Sequence, residues 1–294
     1  MMRILSLPAD VDIMPRPPWR RFSGPQAALV VAALCASLLG CSKDWAGPVP
    51  VRYREGASHG FLVLQTLDGR ILASGDDLTL VRGDRVTTEL VFHFPDGSLD
   101  SDTTVFSQHH YFRLLSDHQV EKGPAFPRAT DATIDAVRGR VTVKSTKNGK
   151  EKVSTKRLQL PADLSNGMTD ILLRNMNPNA PQTLSYVTAS SSPRVVKLLI
   201  SSSGKEPFFV AGEKFRAIHY VIKVKIGGLA GVIAPLVGKK PPDVNIWILG
   251  GKAPAFLRAD ATLYDGGPIW RVQLAAPVWP RAEEESATQA KPKR

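Results

Sequence analysis

The sequence predicts a mainly β protein of the α+β type: a strongly curved antiparallel sheet of about ten strands, a half-barrel, with one or two helices against its concave face. Three observations support this fold class. Apolar and polar residues alternate over long stretches, turn sequences separate those stretches, and helical patterns are few. Such alternation is typical of antiparallel strands that place one face on a core and the other in water.

The predicted strands follow one another with short turns between them. The clearest begins at Val86, which forms an apolar face with Phe92 and Phe94 while polar residues point the other way. Asn148-Gly149 is the strongest turn signal, because both residues tolerate the positive φ that a two-residue hairpin needs. The predicted strands are 86–94, 99–108, 141–144, 152–155, 183–189, 194–201, 215–226, 244–249, 255–263 and 269–274.

Two segments have helical character. Residues 163–176 begin with helix-capping types, continue as an apolar run and end before Asn177-Pro178, which stops a helix. Residues 228–238 are entirely small and apolar. We expect this second segment either to fill the mouth of the curved sheet as a buried helix or to form a lid that touches the membrane. Its expected cleft-lining residues are Leu229, Val232, Ile233 and Leu236.

The N-terminus has the three zones of a secretory signal peptide. A basic stretch around Arg20 precedes an apolar run at 27–39, which is shorter than the roughly 20 residues that a membrane-spanning helix needs. The run ends in Leu38-Leu39-Gly40-Cys41, which resembles the lipobox of bacterial lipoproteins. The resemblance implies cleavage after Gly40 and lipidation of Cys41, whose acyl chains then anchor the protein. An ordinary cleaved signal peptide is the alternative.

The residue after the lipobox bears on location. An aspartate there typically retains such lipoproteins in the inner membrane, so Ser42 implies the periplasmic face of the outer membrane, with the inner membrane as the alternative. The expected organisation is a signal peptide at 1–40, a tether at 41–57, the half-barrel domain at 58–278 and a disordered tail at 279–294.

Composition excludes several functions. Both cysteines, Cys35 and Cys41, lie at or before the predicted cleavage site, so no disulfide, thiol nucleophile or cysteine metal site is expected in the mature domain. The formal charge is +11, and residues 1–40 hold four arginines and two aspartates, which leaves about +9 after cleavage. This balance favours anionic lipid headgroups or peptidoglycan carboxylates, whereas the expected compartment excludes nucleic acid. Much of the excess lies in one predicted hairpin, at Lys144, Lys147, Lys150, Lys152, Lys156 and Arg157.

The sequence carries no recognisable catalytic or metal-binding motif. His109 and His110 are adjacent, and neighbouring strand residues point to opposite faces, so the two cannot bind one ion in a regular strand. Four aspartates are interpreted as loop-capping residues of turns: Asp76, Asp77, Asp100 and Asp102. We therefore expect no catalytic residue, metal or cofactor.

A lipidated leader, a long antiparallel sheet, one or two helical inserts and no cofactor motif together resemble the half-barrel superfamily of the periplasmic lipoprotein carriers LolA and LolB. The segments that carry the resemblance are 92–98, 227–231 and 266–270. It implies a curved sheet wrapped around helices, with an apolar cleft for acyl chains. Besides the four residues of 228–238, the expected cleft residues are Phe92, Phe94, Tyr220, Ile222, Phe256 and Trp270.

The sequence thus predicts a non-enzymatic, membrane-anchored protein that binds a lipid or another hydrophobic molecule during envelope biogenesis. The first alternative is a structural lipoprotein that docks an envelope protein complex or peptidoglycan, with the basic hairpin as its contact. The second is an envelope hydrolase, which requires a polar cleft that gathers His93, His110 or aspartates.

Overall fold

Fifteen strands and one helix make up the fold in a computed structural model that describes residues 45–210, 213–225 and 241–275. The strands are β1 (Trp45–Ala46), β2 (Ser58–Gln65), β3 (Ile71–Arg82), β4 (Arg85–His93), β5 (Leu99–Gln108), β6 (Phe112–Lys122), β7 (Ala129–Asp135), β8 (Arg140–Lys147), β9 (Lys150–Arg157), β10 (Gln182–Val187), β11 (Val195–Val210), β12 (Glu213–Lys225), β13 (Val244–Leu249), β14 (Ala255–Ala261) and β15 (Trp270–Leu274). The helix, α1, spans Thr169–Asn175. Among these residues no helix has both the length and the apolar character needed to traverse a bilayer.

All the strands belong to one sheet, in the order β1-β10-β11-β12-β13-β14-β15-β2-β3-β4-β5-β6-β7-β8-β9. The fourteen strands from β2 to β15 pair antiparallel with their neighbours, and the two-residue β1 pairs parallel with β10. β1 and β9 are the two edges, so the described sheet is not closed. The predicted mainly β, antiparallel fold is confirmed, but the expected number of about ten strands is wrong.

The sequence pattern does not reveal β1, β2, β3, β6 and β7, and β3 shows one reason. Gly75 and the pair Asp76-Asp77 look like a turn but lie in the middle of this strand. A side chain at Gly75 is excluded because the ring of Phe92 lies over it: a Cβ there would be 2.6 Å from Phe92 Cδ1. Asp100 and Asp102 likewise lie inside β5. The interpretation of all four aspartates as turn residues is therefore wrong.

The main core forms where strands that are far apart in the sheet order face one another across α1. Buried side chains of β5 to β8, such as Phe106 and Ile134, share one cluster with Leu198 of β11, Ile222 of β12 and Leu172 of α1. Shared contacts of this kind require the sheet to bend around the helix. Burial of three consecutive residues of α1, Ile171 to Leu173, holds the short helix in place. One of the two predicted helices is thus confirmed, within 163–176.

The residues from Trp45 to Glu55, here called the N-terminal strap, lie on the sheet instead of leaving it as a tether. Trp45 and Ala46 form β1, and the Val49 side chain is 2% exposed. The backbone N–H groups of Arg52 and Tyr53 both donate to Asn175 Oδ1, at 2.9 and 2.7 Å. The sequence of the strap shows no alternation of apolar and polar residues, because isolated hydrogen bonds hold it in place instead of a long strand pairing.

The basic hairpin forms as expected. Asn148 and Gly149 adopt φ values of +50° and +72°, as a two-residue turn between β8 and β9 requires. β9 is a sheet edge, and its side chains are exposed along almost the whole strand.

Several expectations lie outside the described residues. They are the signal peptide at 1–40 with the lipidation site Cys41, the apolar segment 228–238 with Leu229, Val232, Ile233 and Leu236, and the tail at 279–294.

Candidate functional site

A cavity of about 330 Å³ lies on the inner face of the sheet, between β6 and β7 on one side and β10 to β12 on the other. Because these strands are not neighbours in the sheet, the cavity separates two parts of the bent sheet. Its volume falls at the lower end of the range of about 300–1,000 Å³ that is typical of small-molecule sites.

The wall of the cavity is mixed in character. The apolar part comes from strand residues Val196 and Val224 and from Leu263 and Tyr264 in the loop between β14 and β15. The polar part comes from Gln119 and Glu121 of β6, Thr130 of β7, Tyr186 of β10 and the turn residues Thr188 and Ser190. The site therefore suits a molecule that has both an apolar and a polar part.

Behind the polar wall lies an acidic cluster formed by Asp100, Asp102, Asp117 and Glu121. β5 and β6 are paired antiparallel, and their inward-facing side chains alternate along the two strands. Asp100 lies directly opposite Glu121, and Asp117 lies opposite Thr104. Four carboxyl groups thus share one patch of the inner face.

Asp102 and Asp117 form a hydrogen-bonded carboxyl pair. Thr104 Oγ1 lies 3.1 Å from Asp102 Oδ1 and 2.9 Å from Asp117 Oδ1. Burial, together with the charge of Asp102 and the hydrogen bond between the two, raises the pKa of Asp117 well above its ordinary value. Burial also raises the pKa of Asp102, against the opposing hydrogen bonds from Asp117 and Thr104.

The loop before α1 packs against this pair. Gly167, in the loop before α1, has φ +62° and lies directly against Thr104 and the carboxylate of Asp117; a Cβ at this position would overlap both side chains. Thr104 and Asp117 are therefore contact points between this loop and the sheet.

The other two acids are Asp100 and Glu121. Of the four, Glu121 is the one that lines the cavity. Burial raises the pKa of Glu121 to about 7, although a hydrogen bond with Thr130 and the charge of Arg128 act in the opposite direction. Burial raises the pKa of Asp100 to about 8, with further contributions from Glu121 and Asp102. Gln119 Nε2 donates to Glu121 Oε1 at 3.2 Å. At neutral pH, Glu121 therefore changes between an acid that donates a hydrogen bond and a carboxylate.

Tyr186 faces this cluster from β10. Burial raises the pKa of its phenol, and the nearby acids Asp117, Asp102 and Glu121 raise it further. The phenol therefore keeps its proton and can donate a hydrogen bond to a molecule in the cavity.

Charged residues surround the mouth of the cavity. Arg128, just before β7, and Arg194, just before β11, are exposed and line it, as does the exposed carboxylate of Asp265. The backbone of Arg194 is fixed, because its N–H donates to Thr188 Oγ1 and its carbonyl accepts from Thr188 N–H. Within the described residues, neither guanidinium takes part in an ion pair.

A second polar network lies on the opposite face of the sheet, around His219. Ser203 Oγ and Glu206 Oε1 both lie beside Nδ1, at 2.7 and 2.8 Å, and Asn245 Oδ1 lies 2.9 Å from Nε2. In a Ser-His-acid triad the serine and the acid bind opposite nitrogens of the ring. Here they share one nitrogen, so the network lacks the geometry of that triad.

The same network encloses an indole. Trp247 lies between His219 of β12 and Arg258 of β14 in the sheet; the imidazole stacks on it at 4.3 Å, and the guanidinium lies 3.6 Å from its ring centre. Trp247 Nε1 donates to Glu206 Oε2 at 2.8 Å. With the indole 6% exposed, this arrangement stabilises the outer face of the sheet. In the described part of the chain, no group of three or more His, Cys, Asp or Glu residues is arranged to hold a metal ion.

No family model matches the chain, and no curated protein is similar to it in sequence. Among solved structures, a β-barrel-like protein of a domain of unknown function, DUF1849, from Brucella abortus is similar. It is 12% identical, and the alignment covers 80% of this chain and 99% of that chain with a TM-score of 0.40. A TM-score of 0.40 supports no argument about the site.

The predicted cleft residues do not meet in one cleft. Phe92, Phe94 and Trp270 pack in a second apolar cluster around β2 to β4, Tyr220 and Ile222 lie in the main core, and Phe256 touches both. Phe92, Tyr220 and Ile222 are at most 2% exposed, so they contact protein and not the cavity.

Sequence reasoning missed the cavity residues Glu121, Tyr186, Arg128 and Arg194. One signal was available: Asp100, Asp102 and Thr104 occupy the same alternating positions as Phe106, so polar residues lie on a core-facing row. On β6 the signal is hidden, because a bulge opposite Val105 and Phe106 shifts the alternation.

Proposed function

We propose that this chain is a non-enzymatic bacterial lipoprotein that binds a lipid or another hydrophobic molecule in the inner-face cavity. The single observation that carries the proposal is the cavity itself. Within the described part of the chain, side chains such as Phe106 and Leu172 pack in the core of the inner face, whereas a cavity lies between β6 and β10 to β12. A volume of about 330 Å³ favours a ligand with one short chain over a two-chain phospholipid.

The anchor belongs to the same proposal. Cys41 would carry the lipid, and the protein would sit at the periplasmic face of the outer membrane during envelope biogenesis. The lipobox-like sequence Leu38-Leu39-Gly40-Cys41 and the following Ser42 support this location. Its test is metabolic labelling with a palmitate analogue: the wild-type protein should incorporate the label, and Cys41→Ala should not.

Ligand binding is tested with the full chain carrying Cys41→Ala, so that no acyl chain of its own occupies the site. Native mass spectrometry should show a bound molecule of lipid mass that is released in organic solvent. The matched variant is Val196→Trp, which places a large side chain on the cavity wall. If the Cys41→Ala protein carries the same co-purified mass with and without Val196→Trp, or none, the cavity is not a lipid site.

A second candidate function is docking of an envelope protein complex or peptidoglycan through the basic hairpin. Its support is the exposed strand β9, which is an edge of the described sheet and carries positive charge. Purified peptidoglycan sacculi should sediment the protein at low salt, and the triple variant Lys150→Gln, Lys152→Gln, Lys156→Gln should reduce this. Equal sedimentation of both proteins would count against the hairpin as a contact.

A further inference from the structure

We infer that the cavity takes a single-chain amphipath with an anionic head, a carboxylate or a phosphate monoester, and that Arg128 and Arg194 hold that head. The inference rests on the proposed function and adds the chemistry of the ligand. It begins with the position of the two arginines. They come from different parts of the chain, before β7 and before β11, yet both line one cavity.

The charges of these arginines are available. Neither guanidinium is paired with a carboxylate of the described residues, whereas two part-buried arginines elsewhere in the fold are. Arg174 pairs with Glu55 and Asp170, and Arg271 binds Asp260 through two hydrogen bonds of 2.8 Å. A guanidinium presents donors in a planar fork that matches a carboxylate or phosphate.

The cavity also offers neutral donors to the same head group. The Tyr186 hydroxyl faces it from β10, and Thr188 and Ser190 line it within the turn that ends at Arg194. Apolar residues Val196 and Leu263 form a further part of the wall, where the chain of the ligand can pack. Donors and apolar surface within one space of this size are what an amphipath requires.

The acids of the site limit the charge but do not reverse it. Glu121 lies on the buried side of the cavity and Asp265 at its exposed mouth. At the mouth itself, Arg128 and Arg194 carry two positive charges against the one negative charge of Asp265. Removal of that carboxylate should therefore strengthen the binding of an anion.

The test compares ligands of equal chain length with the Cys41→Ala full chain, by isothermal titration below their micelle concentrations. The probes are dodecanoate, dodecyl phosphate, neutral dodecanol and cationic dodecyltrimethylammonium. We expect both anions to bind about tenfold or more tightly than dodecanol, in line with charge-assisted hydrogen bonds to two guanidinium groups.

Variants assign the preference to residues. Arg128→Gln with Arg194→Gln should reduce the anions to the affinity of dodecanol and leave dodecanol unchanged, whereas Asp265→Asn should tighten the anions. Arg113→Gln is the matched control, because Arg113 is exposed on β6 but does not line the cavity. Thermal unfolding of each variant establishes that it is folded.

The outcomes separate the inference from the function on which it rests. If none of the four probes binds, the proposed function fails. If dodecanol binds as tightly as the anions, or the cation binds more tightly, hydrophobic binding stands and the anionic head is overturned. If the anions are preferred but the arginine variants retain the preference, the assignment to Arg128 and Arg194 is overturned.

Discussion

Replacing Glu121 with glutamine should remove part of the loss of stability that this protein shows as pH rises through neutrality. The carboxyl of Glu121 is 6% exposed and lies opposite Asp100 on the neighbouring strand. The groups around it are Asp100 on β5, Gln119 on β6, Thr130 on β7, Tyr186 on β10 and the charge of Arg128. Glu121 is the buried carboxyl in contact with the cavity, and glutamine has nearly the same shape without the charge.

The size of the effect follows from the pKa. Burial raises the pKa of Glu121 from 4.5 to about 7 in the folded protein. Between these values the unfolded chain has released the proton and the folded chain has kept it, so stability falls as pH rises from about 4.5 to about 7 and then levels off. The total loss at pH 8 is about 2 to 3 kcal/mol, allowing for partial screening by water in the cavity.

The assay is urea unfolding, followed by tryptophan fluorescence, at pH values from 4 to 8. Relative to wild type, Glu121→Gln should gain about 2 to 3 kcal/mol between the two ends of this range. Loss of the charge also eases ionisation of Asp100, which adds to the difference in the same direction. Glu151→Gln, at an exposed position on β9, is the control and should parallel wild type. If Glu121→Gln also parallels wild type, Glu121 is not held protonated and the reasoning is refuted.

Three further predictions concern packing and polar contacts. Gly167→Ala should destabilise the protein by about 3 kcal/mol or more, because the methyl group would overlap Thr104 and Asp117. The control is Gly149→Ala, where φ is +72° and the space is open; it should destabilise the protein by about 1 kcal/mol. Equal losses in thermal unfolding would show that the loop is not pressed against the carboxyl pair. Asn175→Ala should destabilise the protein by about 2 to 4 kcal/mol and expose the N-terminal strap to proteolysis, because two backbone N–H groups lose their acceptor. The control, Asn179→Ala at an exposed position, should do neither. A strap that resists proteolysis in both variants would contradict the role of Asn175. Trp247→Phe should lose the hydrogen bond to Glu206 and about 1 to 2 kcal/mol in urea unfolding, while Trp270→Phe, which has no such bond, serves as the comparison.

The sequence was informative wherever strands are regular and turns are local. The strand from Val86 to His93 and the Asn148-Gly149 turn are governed by alternation and by positive φ, which are visible in a few consecutive residues. The number of strands was not visible, because β3 contains Gly75 and two aspartates. Glycine belongs there only because Phe92, seventeen residues later in the chain, lies over it.

The cavity was invisible for a related reason. Its polar wall depends on which face of β6 points inward, and the bulge between β5 and β6 changes that assignment halfway along the strand. Its other wall comes from β10 to β12 and from the loop before β15, which only the bending of the whole sheet brings near β6. No local pattern reports such a contact.

The buried acids lower the stability of the fold at neutral pH, and this bears on their role. Amide or apolar side chains of similar size would fill the same space without the stability cost that Glu121 and Asp100 impose at neutral pH. Proteins tolerate costs of this kind mainly at functional sites. Glu121 is the member of the acidic cluster that lines the cavity, and the free energy that links its proton to a bound ligand is reciprocal. An anionic head in the cavity would favour the protonated form of Glu121, and protonation of Glu121 would in turn favour binding of the anion. The same carboxyl that lowers the stability of the fold would therefore make release of such a ligand depend on pH near 7.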